Sequence, residues 1–126
     1  MIDFTIPEEI EKLKETTQKF ILENVIPREK DPRQDSHGPH DSLRTELNKE
    51  AKALGILSPS VGKEWGGLGL NMRDMSVIFE ASGYSLLGPQ AMNCSAPDEG
   101  NMHMLEVVAN KDQKEKYYKI DFRLWV

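Results

Sequence analysis

A chain of 126 residues fits one domain and can bury a core without disulfides or a structural metal. Its 21 acidic residues outweigh 16 basic ones, a formal net charge of −5, and no basic stripe exists to release counterions from phosphates, which excludes nucleic acid as a partner. Cys94 is the only cysteine, so no internal disulfide is possible and a reducing compartment is indicated; no apolar run is long enough to be a transmembrane segment.

The N-terminus, MIDFTIPEEIEK, is neither a secretory signal nor a basic transit peptide, which leaves Met1 open as an internal start or a mature end. Thr5-Ile6-Pro7-Glu8 reads as a helix start, with Thr5 and Glu8 at capping-box spacing and Pro7 in the first turn. Ile6, Ile10, Leu13, Thr17, Phe20, Ile21 and Val25 then share one stripe, predicting a helix over 6–25 that Pro27 stops. Residues 28–40 hold Pro32, Pro39, Gly38 and charges of both signs, and are expected to be a solvated, mobile connection with room for one helical turn. His37 and His40 within it are three apart, but Gly38 and Pro39 forbid the helix that would aim both at a metal, so solvated loop histidines are expected and no metal site.

A second helix is expected from a cap at Asp41 or Ser42, with Leu43, Leu47, Ala51 and Leu54 inward and Gly55 as its left-handed stop. Residues 54–70, LGILSPSVGKEWGGLGL, cannot hold a helix or strand for long, given Pro59 and four glycines. They are nonetheless too apolar for a solvated linker, and are expected to be a loop pressed onto helices. Asn71 then caps a third helix, with Asp74 at its third position and Met75, Ile78, Phe79, Ser82 and Leu86 on its inner face; Gly83 weakens or ends it. Residues 91–96 fit a short buried helix, Asp98 and Glu99 start another running to about Asn110, and residues 111–118 make a last amphipathic turn or two. From Ile120 the apolar residues alternate, a strand pattern for which the chain offers no partner strand.

No stretch carries a strong catalytic motif. Caps account for Glu8, Glu9, Asp98 and Glu99, and Glu64 is placed to bond backbone amides rather than to move a proton. Cys94 has no His or basic neighbour and reads as a small buried hydrophobe. His103 reads as an ordinary hydrogen-bonded imidazole, and the pairs Met72/Met75 and Met102/Met104 as core filler. The glycine loop lacks the Gly-Lys-Ser/Thr of a phosphate loop and the preceding strand of a dinucleotide fold.

Two stretches carry a family resemblance. Leu54-Gly55-Ile56, Pro59 and Glu64-Trp65-Gly66-Gly67-Leu68-Gly69-Leu70, followed in the same order by Asp112-Gln113-Lys114-Glu115-Lys116-Tyr117, resemble the N-terminal helical domain of the acyl-CoA dehydrogenase family. The likeness runs over about residues 4–117 and leans toward the vertebrate members ten and eleven, which carry a kinase-like domain upstream. It implies an all-α, up-and-down-like bundle of about five or six helices over residues 1–118, with 119–126 a divergent tail. It also implies a parent enzyme that desaturates fatty acyl-CoA at Cα–Cβ in β-oxidation, with FAD as cofactor and electron-transferring flavoprotein as electron partner. That parent is expected to be a homo-oligomer in the mitochondrion or peroxisome.

The family's flavin contacts and catalytic base lie in a β-domain and a C-terminal helical domain. The resemblance therefore carries no catalytic or cofactor-binding residue onto this chain, and implies no cofactor on it and no activity alone. It implies that residues 90–99 wall one side of the acyl pocket, with Ala91 and Ser95, four apart on one possible helix face, as the substrate-facing candidates. A truncated helical interaction module that binds or regulates the parent is the rival reading, cued by the apolar tail Phe122-Arg123-Leu124-Trp125-Val126.

Overall fold

Residues 1–118, described by the computed structural model, form six α-helices and one very short hairpin, an all-α architecture as expected. Helix α1 (Glu8–Phe20) begins after Pro7, whose missing N–H is harmless at that end, and carries Glu8, Glu9 and Glu11 in its first turn, where the helix dipole favours them. The expected Thr5–Glu8 capping box does not form. Pro7, not Thr5, occupies the cap, and the Thr5 amide donates to Asp3 Oδ1 at 2.8 Å.

Nor does Pro27 stop the element. The chain continues through a π turn (Ile21–Val25) into a 3-10 turn (Ile26–Lys30) with Pro27 near its start. Proline cannot donate to residue 23 and its ring crowds that carbonyl; a wide turn followed by a tight one keeps the helical direction without that bond. Ile21 and Val25 stay fully buried throughout.

Residues 28–40 are more structured than a solvated connection. The Arg28 guanidinium reaches Glu50 at 2.7 Å and Glu46 at 3.1 Å, and Arg33 bridges Glu46 at 2.9 Å and Asp31 at 2.8 Å. Beyond this clamp, β1 (Gln34–Asp35) pairs antiparallel with β2 (Gly38–Pro39). Two residues per strand are too few for an alternating pattern, which is why residue types did not foretell them.

Helix α2 (Asp41–Ala53) buries Leu43, Leu47 and Ala51, and Gly55 takes φ +72° beyond its end. His40 sits at its cap without a side-chain bond to the helix amides, so neither Asp41 nor Ser42 caps it, and Leu54 leaves the stripe at 47% exposed. The following loop folds back on itself. Leu68 N donates to Ser58 O, Gly69 N to Val61 O and Leu70 N to Pro59 O, around one 3-10 turn at Lys63–Trp65. Ile56, Leu57, Ser58 and Val61 are buried, so the loop is an internal corner without strands. Gly67 is required there, since a methyl group on it would lie 2.2 Å from the Val61 carbonyl oxygen.

Helix α3 (Met72–Ser82) is capped by Asn71, whose side chain accepts from the Asp74 amide, and it ends at Gly83. Ile78, Ala81 and Ser82 face inward, whereas Leu86 lies beyond the helix and is almost wholly exposed. Helix α4 (Gly88–Ala91) falls earlier than the expected 91–96, because Asn93 turns left-handed at φ +53°. Helix α5 (Asp98–Val108) buries Met102, and α6 (Lys111–Gln113) starts from a capping box of Asn110 and Gln113 and continues as a π turn to Tyr118.

Helix α1 packs on α3, and α2 on α4, which also meets the π turn after α1. Their apolar stripes make the main core. A second cluster of Val61, Met102 and Tyr118, flanked by Trp65 and Leu105, joins α5 and the end of α6 to the glycine loop, with the Trp65 and Tyr118 rings edge-on at 5.6 Å. The alternating stretch from Ile120 lies outside the described residues. No helix among the described residues is long and apolar enough to cross a membrane.

Candidate functional site

The glycine loop, the start of α3 and one face of α5 enclose a surface groove of about 810 Å³. Gly69, Leu70, Met72 and Met75 line it from the loop and the start of α3, and Glu99, His103 and Glu106 line it from α5. The last three are four and three apart on α5 and so share a helix face. Lys63 and Glu64 close one end, where Gly69 turns at φ +60° with the Lys63 side chain lying over it. The Asn71 cap fixes the first turn of α3 against the loop.

The spacing of the walls is set from beneath. Asn93 Nδ2 donates to Ser58 Oγ at 2.8 Å and lies 3.6 Å from the Met102 sulfur, while Ser58 N donates to the Met92 carbonyl. Both Ser58 and Asn93 hold positive φ, of 54° and 53°, costs that their mutual bonds offset. Loop, α4–α5 corner and α5 are thereby locked as one unit. The ionisable groups lining the groove are three carboxylates, one lysine and one imidazole, beside the Ser60 hydroxyl and the Asn71 carboxamide. No group of three or more metal-ligating side chains occurs among the described residues.

Ala91 and Ser95 do not share a helix face, because α4 ends at Ala91 and the chain turns at Asn93. Ala91 is fully buried, its carbonyl and that of Gln90 accepting from Asn48 Nδ2. Ser95 is half-buried on a smaller cleft of about 260 Å³, with Arg44, Gln90, Asn93 and Asp98 around it. His37 and His40 both turn to Asp35: the His37 amide donates to its Oδ1 at 2.7 Å, and the His40 ring lies 3.3 Å from its Oδ2. The His37 amide bond chiefly holds the Asp35 carboxyl below its ordinary range.

Burial pushes the Cys94 thiol up to about 12, consistent with a small buried hydrophobe. Of the four methionines read as core filler, only Met102 is; Met72 is 79% exposed and Met104 half-exposed, because the helices turn those positions away from both cores. Glu64 is exposed and faces the groove. The grouping of Glu99, His103 and Glu106 was missed in the sequence, although their spacing on one predicted helix was the available signal.

Fold and site together define a class: a helical domain built around a buried glycine corner, with an open groove and no assembled nucleophile among the described residues. The model of the family described as "Acyl-CoA dehydrogenase, N-terminal domain" matches residues 7–119, and the chain belongs to that family. It is similar to acyl-CoA dehydrogenase family member 11 of Rattus norvegicus, 28% identical over 79% of this chain and 14% of the relative. Member 10 of Mus musculus is 31% identical over 86% of this chain and 11% of the relative. A probable acyl-CoA dehydrogenase, FadE2, of Mycobacterium tuberculosis is 31% identical over 59% of this chain and 18% of the relative. The chain thus spans less than a fifth of the length of the curated relatives it matches. No solved structure matches it.

The groove does not fit the pyrophosphate of a flavin dinucleotide. A pyrophosphate wants free amides or cations, but the groove presents Glu64, Glu99 and Glu106 against Lys63 alone. The cap side chains of Asn71 and Asn110 already hold amides at the starts of α3 and α6, and Arg28 and Arg33 are engaged by carboxylates.

Proposed function

We propose that residues 1–118 form the N-terminal helical domain of an FAD-dependent acyl-CoA dehydrogenase, contribute one wall of its acyl pocket, and turn nothing over alone. The observation that carries this reading is the family match across residues 7–119. Residues 90–99 supply the wall in this reading, with Ser95 at the surface and Ala91 supporting it from the core. Exposed Leu86, Val107 and Val108 agree with a surface that the remainder of the enzyme covers. FAD, held by the parent's other domains, supplies the redox chemistry of fatty acyl-CoA desaturation in β-oxidation. Electron-transferring flavoprotein, a homo-oligomeric parent and a mitochondrial or peroxisomal setting complete the proposal.

The same exposed side chains favour a second reading, in which the chain is an interaction module that binds or regulates the parent. One experiment separates the two: mix the purified chain with a parent enzyme lacking this domain and follow acyl-CoA-dependent dye reduction. Restored turnover supports the enzyme domain, and binding without turnover supports the module. No association overturns both. Stoichiometric flavin on the purified chain, or turnover by it alone, overturns the inactive part.

A further inference from the structure

The groove beside the glycine loop is asymmetric in a way that the acyl-wall reading, placed at residues 90–99, does not use. One wall is apolar and pliable: Met72 and Met75, about one helical turn apart on α3, line it together with Leu70, and Met72 is 79% exposed. Unbranched thioether side chains fit irregular apolar partners at low cost. The facing wall carries Glu99 and Glu106 on either side of His103 on α5, with Glu64 at the end and Lys63 as the one lysine or arginine of the lining. Two helices bracket the space, and about 810 Å³ holds several side chains of an incoming helix face.

We propose that this groove docks a cationic amphipathic helix of a protein partner, its apolar stripe on Met72 and Met75 and its Lys or Arg flank along α5. The helix-in-groove mode needs an apolar trough with side chains that read one flank, and both are present. Charge decides among occupants. Phosphate-bearing ligands meet three carboxylates, and a second copy of a chain of net charge −5 is repelled.

The test uses the full chain and a designed peptide of about eighteen residues of leucine and lysine in helical pattern, with a leucine–glutamate counterpart as control. Binding is read by calorimetry and by backbone amide shifts. The leucine–lysine peptide is expected to bind, to weaken as salt rises, and to shift amides of the glycine loop, α3 and α5. Glu64→Lys with Glu99→Lys is expected to weaken it about tenfold or more and to admit the glutamate peptide. Met72→Ser, at an exposed position, weakens it severalfold with unchanged circular dichroism.

No binding, equal binding of both peptides, or binding that survives the charge reversal overturns the proposal. So does self-association of the chain that Met72→Ser abolishes, which makes a second copy the occupant. A wild-type chain that refuses the lysine peptide while Trp125→Ser accepts it assigns the groove to residues 119–126 instead, and overturns it too. Neither result depends on acyl-CoA turnover, so failure here leaves the enzyme-domain reading to its own test.

Discussion

A methyl group on Gly88 would lie 1.9 Å from the Ser82 carbonyl oxygen and 3.0 Å from Ile21 Cδ1, so backbone, not a flexible tip, blocks it. Gly88→Ala must push α4 off the end of α3 and is expected to cost about 3 kcal/mol, as overpacking does. Gly100, inside α5, meets nothing within 4 Å. Gly100→Ala is expected to add about 0.5–1 kcal/mol by removing backbone freedom from the unfolded chain. Urea titration of both variants checks the contrast. Sequence alone cannot rank these glycines, because the space around each is made by residues distant in the chain.

Caps give the corresponding contrast among elements. Asn71 and Asn110 each accept from the amide three residues on, and Asn71→Ala or Asn110→Ala is expected to cost about 1 kcal/mol. Asp41 and Ser42, equally plausible caps by residue type, lie inside α2, and Ser42→Ala is expected to change stability by less than about 0.5 kcal/mol. Thermal melts of the three variants decide it. Arg28→Ala removes the link between the 3-10 turn after α1 and two glutamates of α2 from a largely buried position, at about 2 kcal/mol. A cycle with Glu50→Gln isolates that pair.

What the sequence made legible is what one element decides for itself: the stripes of α1 and α2, the Asn71 cap, and the buried glycine corner. The two-residue strands, the register of α4 and the outward turn of Leu54 and Leu86 depend on neighbours. So does the groove, whose walls come from residues 70–75 and 99–106 and meet only after folding. Ala91 and Ser95 were paired by helical spacing, which the left-handed turn at Asn93 removes.

At the scale of the whole molecule, titration samples the clamp and both cores. Asp31 is held down to about 2 from its ordinary 3.8, chiefly by the Arg33 side chain, and Glu46 is lowered by the same guanidinium. A carboxyl with a depressed folded pKa contributes stability above its unfolded value, and that contribution fades as pH falls through about 4 toward about 2. At the alkaline end the sign reverses. Burial raises Cys94 from 9.0 to about 12, and raises Tyr118, with Glu106 beside it, from 10.0 to about 12. Their neutral forms keep the folded state fully favoured below about pH 9, and stability is lost as pH climbs toward about 12. Tm should therefore run flat from about pH 5 to about 9 and fall on both sides. Cys94 belongs to the main core and Tyr118 to the cluster of α5 and α6, so single variants divide the alkaline limb. Tyr118→Phe removes the phenol that burial and Glu106 hold neutral, so the alkaline limb of its Tm profile should flatten above about pH 10. A Tyr118→Phe chain whose alkaline limb is unchanged would show that this phenol does not set the loss of stability above about pH 10.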